Sequence, residues 1–119
     1  MYFNIQETDE AYEDLLSLAL YVYETGYSFN HSNKVYENYD KAISSISIFP
    51  RGFKNTHINY RNYNIYLLPY DIYNVFYIFD DDTITVLRVL HQKRNWQRII
   101  NEHNYYHIDN NILCSLMMR

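Results

Sequence analysis

"TITVLRVLHQKRNW", residues 83–96, is the stretch on which the reading of this chain turns. Its first nine residues have the branched, apolar composition of a buried strand, yet Arg88 stands inside the run. The strand then gives way to His91, Gln92, Lys93, Arg94 and Asn95, a dense polar cluster. A lone guanidinium costs roughly several kcal/mol to bury, so Arg88 has to meet an acid or reach solvent. One expectation is a structural ion pair with a helix acid such as Asp40 or Glu37, or a side chain lying over Tyr73 or Tyr77. The other is an anionic site that Arg88 lines together with Arg61, Lys93 and Arg94.

The run just upstream, "IYNVFYIF" at 72–79, reads as a second strand, and Asp80–Asp82 as the tight turn between them. If Asp81 and Asp82 are the central residues, Asp80 pairs with Thr83, Tyr77 with Val86 and Val75 with Arg88. Strand alternation then puts Ile84, Val86, Arg88 and Leu90 on one face with Tyr73, Val75, Tyr77 and Phe79. Thr85, Leu87, Val89 and His91 point the other way. A slip of one residue would change these partners. "NYNIYLLPY" at 62–70 reads as a further strand, set off by Pro69–Asp71.

Before residue 50 the apolar period is helical. Thr8 suits an N-cap, with Asp9 and Glu10 in the first turn, where negative charge complements the helix dipole. Tyr12, Leu15, Leu16, Ala19, Val22 and Tyr23 follow at helical spacing, and Gly26 suits the end of that helix. A second helix, starting near Asn30 or Ser32, carries the stripe Val35, Tyr39, Ala42, Ile46 and Phe49, and Pro50 with Gly52 stops it. Tyr2–Gln6 forms a short first strand and "WQRIINEH" at 96–103 a short closing helix. The order is β-α-α-β-β-β. The fold class is α+β: an N-terminal helical hairpin packed on a mainly antiparallel sheet, with a short C-terminal helix and extension. Residues 1–103 make the domain, and 104–119 extend it.

At 119 residues, 48% hydrophobic and 20% charged, the chain suits one globular core rather than two. No apolar run approaches the roughly 18 residues of a membrane span. A single cysteine, Cys114, leaves no internal disulfide, so a cytoplasmic setting is expected. The formal net charge of −4 is unevenly spread. Residues 1–50 hold eight acids (Glu7, Asp9, Glu10, Glu13, Asp14, Glu24, Glu37, Asp40) and two bases (Lys34, Lys41). Residues 51–103 hold seven bases and five acids, three of those acids in the Asp80–Asp82 turn. That balance argues against a broad, non-specific nucleic-acid binder.

"FPRGFK" at 49–54 and "YNVFYIFDDDTITVLRVLHQKRNW" at 73–96 resemble the RelE/ParE superfamily of bacterial toxins, the ParE-like branch more closely. The resemblance covers roughly residues 2–103. It implies the toxin of a type II toxin–antitoxin system: a growth inhibitor of the plasmid-stabilisation kind, neutralised by a cognate antitoxin. For the ParE-like branch it implies inhibition of DNA gyrase without catalysis. For the RelE-like branch it implies an mRNA interferase that cuts mRNA on the ribosome. Cleavage of RNA requires a base, a cation and an acid around the phosphate. The catalytic candidates are Arg61, Arg88, His91 and Tyr77, with Lys54, Lys93, Arg94 and Arg98 as binding residues. The acidic pI of about 5.6 and the ending "CSLMMR" depart from the RNA-cutting branch. A third reading is a degenerate toxin that only binds antitoxin. The antitoxin is expected to lay an acidic segment on the tyrosine-rich, partly basic surface of residues 51–103.

No metal or cofactor is expected. Asp80–Asp82 are explained by a turn, and consecutive carboxylates converge poorly on a cation. His103 and His107 are spaced as a zinc pair but lack an evident third ligand. Cys114 reads as shielded filler, and Gly26 and Gly52 supply no phosphate loop.

Overall fold

The computed structural model describes residues 3–24 and 29–102, with the side chains of residues 23, 24, 29–33 and 102 left aside. Strand β1 (Asn4–Glu7) leads into helix α1 (Asp9–Glu24), then α2 (Phe29–Ile48) and a 3-10 turn at Pro50–Gly52. Four strands follow, β2 (Lys54–Tyr60), β3 (Tyr63–Tyr70), β4 (Tyr73–Phe79) and β5 (Thr83–His91), before helix α3 (Trp96–Glu102). The sheet order is β1-β5-β4-β3-β2, antiparallel throughout except for the parallel β1–β5 pair. This is the α+β architecture expected, with one strand more. The polar run "KNTHINY" gives no alternating signal, yet it forms β2. It lies at the sheet edge and is bulged between Asn55 and Asn59, with His57 in the left-handed region at φ 62°. Gly26, His103, His107 and Cys114 lie outside the described residues.

The sheet separates two apolar layers. On one face Ala11, Leu15 and Ala19 of α1 and Val35, Tyr39, Ala42 and Ile46 of α2 pack on Tyr73, Val75, Tyr77, Ile84, Val86 and Val89. On the other, Ile100 of α3 covers Tyr60, Ile65, Leu67, Phe76, Ile78, Leu87 and Leu90. The α2 stripe is as expected except for Phe49, which follows the helix and is 61% exposed. On α1 the buried face is rotated from the expected one. Ala11 and Leu18 join Leu15, Ala19 and Val22 against the core, whereas Tyr12 and Leu16 remain 63% and 43% exposed. A 16-residue helix that packs only inward buries one stripe, and its small residues let it sit close to the strands.

The Asp80–Asp82 turn has the expected geometry. The backbone N–H of Asp80 donates to Thr83 O, and the Asp80 carboxylate accepts from Asp82 N and Thr83 N. Tyr77 pairs with Val86, also as expected. One step further the register shifts: Phe76 faces Arg88 and Val75 faces Val89, leaving Leu87 as the extra residue of a bulge. The expected Val75–Arg88 pair is therefore corrected. So is the face assignment beyond it, because Val89 now packs under the helices and Leu90 on the opposite layer.

The cause of the bulge lies at the neighbouring edge. β1 pairs β5 only as far as Glu7–Val86, where the chain turns into α1. Thr8 then takes over the ladder. Its N–H donates to Val86 O (3.0 Å) and its hydroxyl to Leu87 O (2.7 Å), while the same hydroxyl accepts from Ala11 N (3.0 Å) as the N-cap. One helical turn later, Asp14 Oδ2 accepts from Val89 N at 3.0 Å. The start of a helix thus stands where a longer edge strand would be.

Candidate functional site

Arg88 sits in that bulge, and its partner is Asp14. Arg88 Nε donates to Asp14 Oδ2 at 2.7 Å and Arg88 Nη2 to Oδ1 at 3.0 Å, a bidentate pair whose side chains are 15% and 14% exposed. The expected acids, Asp40 and Glu37, are not the partners. The sequence signal for Asp14 was there: a helix acid on the flank of α1 that packs on β5. It becomes legible only once α1 is placed over that strand rather than α2.

Tyr77 is fully buried and its hydroxyl donates to Pro50 O at 2.6 Å. Burial, with a smaller contribution from Tyr66, pushes its phenol well above the usual tyrosine range. The structure places Tyr77, expected to orient a substrate, in the core, where it fastens the 3-10 turn to β4.

Arg61 occupies the two-residue β2–β3 turn, where it and Asn62 adopt φ of 50° and 70°, the signature of a type I′ hairpin. Its guanidinium lies 5.3 Å from the centroid of the Tyr60 ring. Strand directions place this turn at the same end of the sheet as Asp80–Asp82. His91 ends β5 at the opposite end, nine residues along that strand. At about 3.3 Å per residue the two ends are roughly 25 Å apart. Arg61, Arg88, Tyr77 and His91 are therefore not brought together.

His91 is half-buried and fixes the polar cluster that follows it. Its Nδ1 accepts from Lys93 N (3.1 Å) and its carbonyl from Arg94 N (3.0 Å). Gln92 N donates to Ile72 O at 2.9 Å, and its side-chain amide to Asp71 O at 3.0 Å. The cluster is thereby tied to the β3–β4 turn. His91 also lines an open, mainly apolar cavity of about 590 Å³ with Leu18, Val22, Val35, Ile72, Tyr73 and Asp71. A smaller depression of about 190 Å³, lined by Asp14, Leu18 and Arg94, lies on its other side. Periodicity alone does not reveal either hollow, because both form between the ends of separate elements.

The expected binding cations lie near the end of β5 and the start of α3. Lys93 and Arg94 are exposed in the turn after β5, and Asn95 Oδ1 caps α3 by accepting from Arg98 N at 3.3 Å. Lys54 at the start of β2 carries its ammonium 5.8 Å from the centroid of the Trp96 ring, which in turn stacks 5.5 Å from Phe76. Lys54 thus lies on the α3 side of the sheet, Lys93, Arg94 and Arg98 are exposed close to the start of α3, and Arg94 also reaches the depression beside Asp14 and Leu18 of α1.

No described helix is long and apolar enough to cross a membrane. No curated protein matches the sequence. The model of one family does, the "ParE toxin of type II toxin-antitoxin system, parDE", over residues 5–96. That span runs from β1 through β5 to the first residue of α3, and so takes in the hairpin, the whole sheet and the Asp14–Arg88 pair. The chain belongs to the ParE toxins of type II toxin–antitoxin systems, and that class implies an antitoxin partner.

Proposed function

We propose that this toxin arrests growth by binding DNA gyrase rather than by cutting RNA. One observation carries the reading: the side chains that a ribonuclease site would draw on are engaged elsewhere or far apart. Arg88 is held bidentate by Asp14, Tyr77 is buried on Pro50 O, and Arg61 lies at the other end of the sheet from His91. A cation that stabilises a developing phosphate charge has to stand free to meet it. What the surface offers instead is a set of exposed cations near the start of α3, Lys54, Lys93, Arg94 and Arg98, which suits binding rather than catalysis.

The antitoxin's acidic segment fits that same patch. The separation of Arg61 from Arg94 narrows the expected landing area to the α3 side. Charge reversal at Lys54 and Arg94 together is expected to weaken co-purification with the antitoxin, and unchanged co-purification would place the segment elsewhere.

The test of target is to induce the chain alone in a bacterium and follow labelled thymidine and labelled methionine over the first minutes. An early fall in DNA synthesis, with loss of supercoiling by purified gyrase, is the expected result. An early fall in protein synthesis would instead give the protein the ribosome-dependent mRNA cleavage of the RelE-like branch. If neither falls, the chain acts only as an antitoxin-binding module. The variant Arg61→Ala/His91→Ala, which spares the Asp14–Arg88 pair, is expected to keep its toxicity.

A further inference from the structure

The open cavity beside His91 joins an apolar lining to charges of both signs. The apolar part comes from Leu18 and Val22 of α1, Val35 of α2 and the buried Tyr73 of β4. The polar groups stand on three elements: Lys34 and Asn38 on α2, Asp71 in the β3–β4 turn and His91 at the end of β5. At about 590 Å³ the cavity lies within the roughly 300–1,000 Å³ of small-molecule sites, whose usual lining is likewise apolar with a few placed polar groups.

The carboxylate of Asp71 is held in place. Asp71 opens the two-residue turn between Tyr70 and Tyr73 and has φ 55°, a conformation in which glycine is more usual. Asn38 Nδ2 donates to its Oδ2 at 3.1 Å, and the Gln92 side-chain amide donates to its carbonyl at 3.0 Å. The charge of Asp71 is felt inside the cavity, where it adds to burial in raising the Tyr73 phenol. Lys34 precedes Asn38 by four residues on α2, so the two side chains leave one face of the helix about 6 Å apart. Lys34 forms no ion pair among the described residues. His91 Nδ1 accepts from Lys93 N, which leaves the proton of the neutral ring on Nε2 as a donor. A fixed carboxylate is thus neighbour to an unengaged ammonium above an apolar hollow.

We propose that this cavity binds a free α-amino acid with a large apolar side chain. The ligand's ammonium meets Asp71, its carboxylate meets Lys34 and the Nε2–H of His91, and its side chain lies against Leu18, Val22, Val35 and Tyr73. An anionic amphiphile would set its head against Asp71, and a cationic one against Lys34. Only a ligand with both charges side by side leaves neither group unmatched. Leu18, Val22 and Val35 put the cavity on the hairpin side of the sheet, so none of these contacts depends on the choice of toxic target.

Probes of one shape separate the charge classes: tryptophan, tryptamine, which lacks the carboxylate, and indole-3-propionate, which lacks the ammonium. Glycine carries both charges without the apolar body. Isothermal titration of the full chain should show tryptophan binding with a dissociation constant on the order of 0.1–1 mM. Tryptamine and indole-3-propionate should each bind at least about fivefold more weakly, and glycine not at all. Backbone amide shifts in NMR should gather at Leu18, Val35, Asp71 and Tyr73. Asp71→Asn keeps a residue at ease at positive φ, and Lys34→Met keeps the apolar stem. Each should weaken tryptophan about five- to tenfold. Asp71→Asn should erase its advantage over indole-3-propionate, and Lys34→Met its advantage over tryptamine. Unchanged circular dichroism and melting without ligand will verify that each variant is folded. Equal binding of the three indole probes, binding by none, or tighter binding by either one-charge probe would overturn the proposal. So would shifts centred elsewhere, or tryptophan binding that neither variant weakens.

Discussion

Replacing Asp14 by alanine removes three contacts at once: both bonds from Arg88 and the one from Val89 N. Breaking a buried ion pair from one side costs roughly 3–5 kcal/mol. Here the two side chains keep 15% and 14% exposure, so the stranded guanidinium reaches some water and the loss falls to about 2–3 kcal/mol. The orphaned Val89 N–H adds about 1 kcal/mol. The expected total of about 3–4 kcal/mol is a large part of the roughly 5–15 kcal/mol that holds a domain folded. Urea denaturation followed by circular dichroism measures it directly. Arg88→Met should cost less, about 2 kcal/mol, because Asp14 keeps its bond to Val89. The Asp14→Ala/Arg88→Met double variant should then lose about 2–3 kcal/mol less than the sum of the two single changes. A loss below about 1 kcal/mol for Asp14→Ala, or strict additivity in the cycle, would refute the claim that this pair and its backbone bond fasten α1 to β5.

Three further outcomes follow from single contacts. Thr8→Val keeps the shape but loses the cap on Ala11 and the bond to Leu87 O, so thermal melting should report a loss of about 2 kcal/mol. Tyr77→Phe should cost about 1 kcal/mol at neutral pH. It should also flatten the alkaline limb of the stability curve. The phenols of Tyr39, Tyr73 and Tyr77 are raised above the ordinary 10.0, burial being the first cause in each. The unfolded chain ionises first. The stabilisation is thus whole below pH 10 and is lost as pH rises above it, by about 1.4 kcal/mol per unit for each tyrosine. With Tyr77 removed, the slope measured by denaturation above pH 10 should be shallower by up to about 1.4 kcal/mol per pH unit. Gly52→Ala places a Cβ 2.5 Å from the Phe49 ring, but that ring is 61% exposed and free to turn, so the change should cost less than about 1 kcal/mol in the same urea assay.

Much of the fold could be read from local pattern. The helix stripe Val35–Ile46, the Thr8 cap, the three apolar strands and the Asp80 turn each depend on residues close in sequence, and each is found where expected. What failed depended on neighbours distant in sequence. β2 was missed because an edge strand with a bulge does not need alternating apolar residues. The Arg88 register was missed because the bulge at Leu87 lies beside the end of β1 at Glu7, 80 residues earlier in the chain. Tyr12 and Leu16 looked like core because periodicity locates a stripe without saying how far around the helix it extends. The candidate site suffered most. Its residues were grouped by chemistry, and only the sheet order separates Arg61 from His91 or pairs Arg88 with Asp14.

The bonds between α1 and β5 also bear on how the chain comes into being. They join Thr8 to Leu87 and Asp14 to Arg88, separations of 79 and 74 residues. At roughly 5–20 residues per second, a ribosome adds Leu87 and Arg88 about 4–16 s after Thr8 and Asp14. Until then β1 has no strand beside it and the hairpin no completed sheet beneath it. A chain released before Val89 would lack both the lock and the surface it closes on. The contacts that fasten α1 to the sheet are thus withheld until β5 has been made.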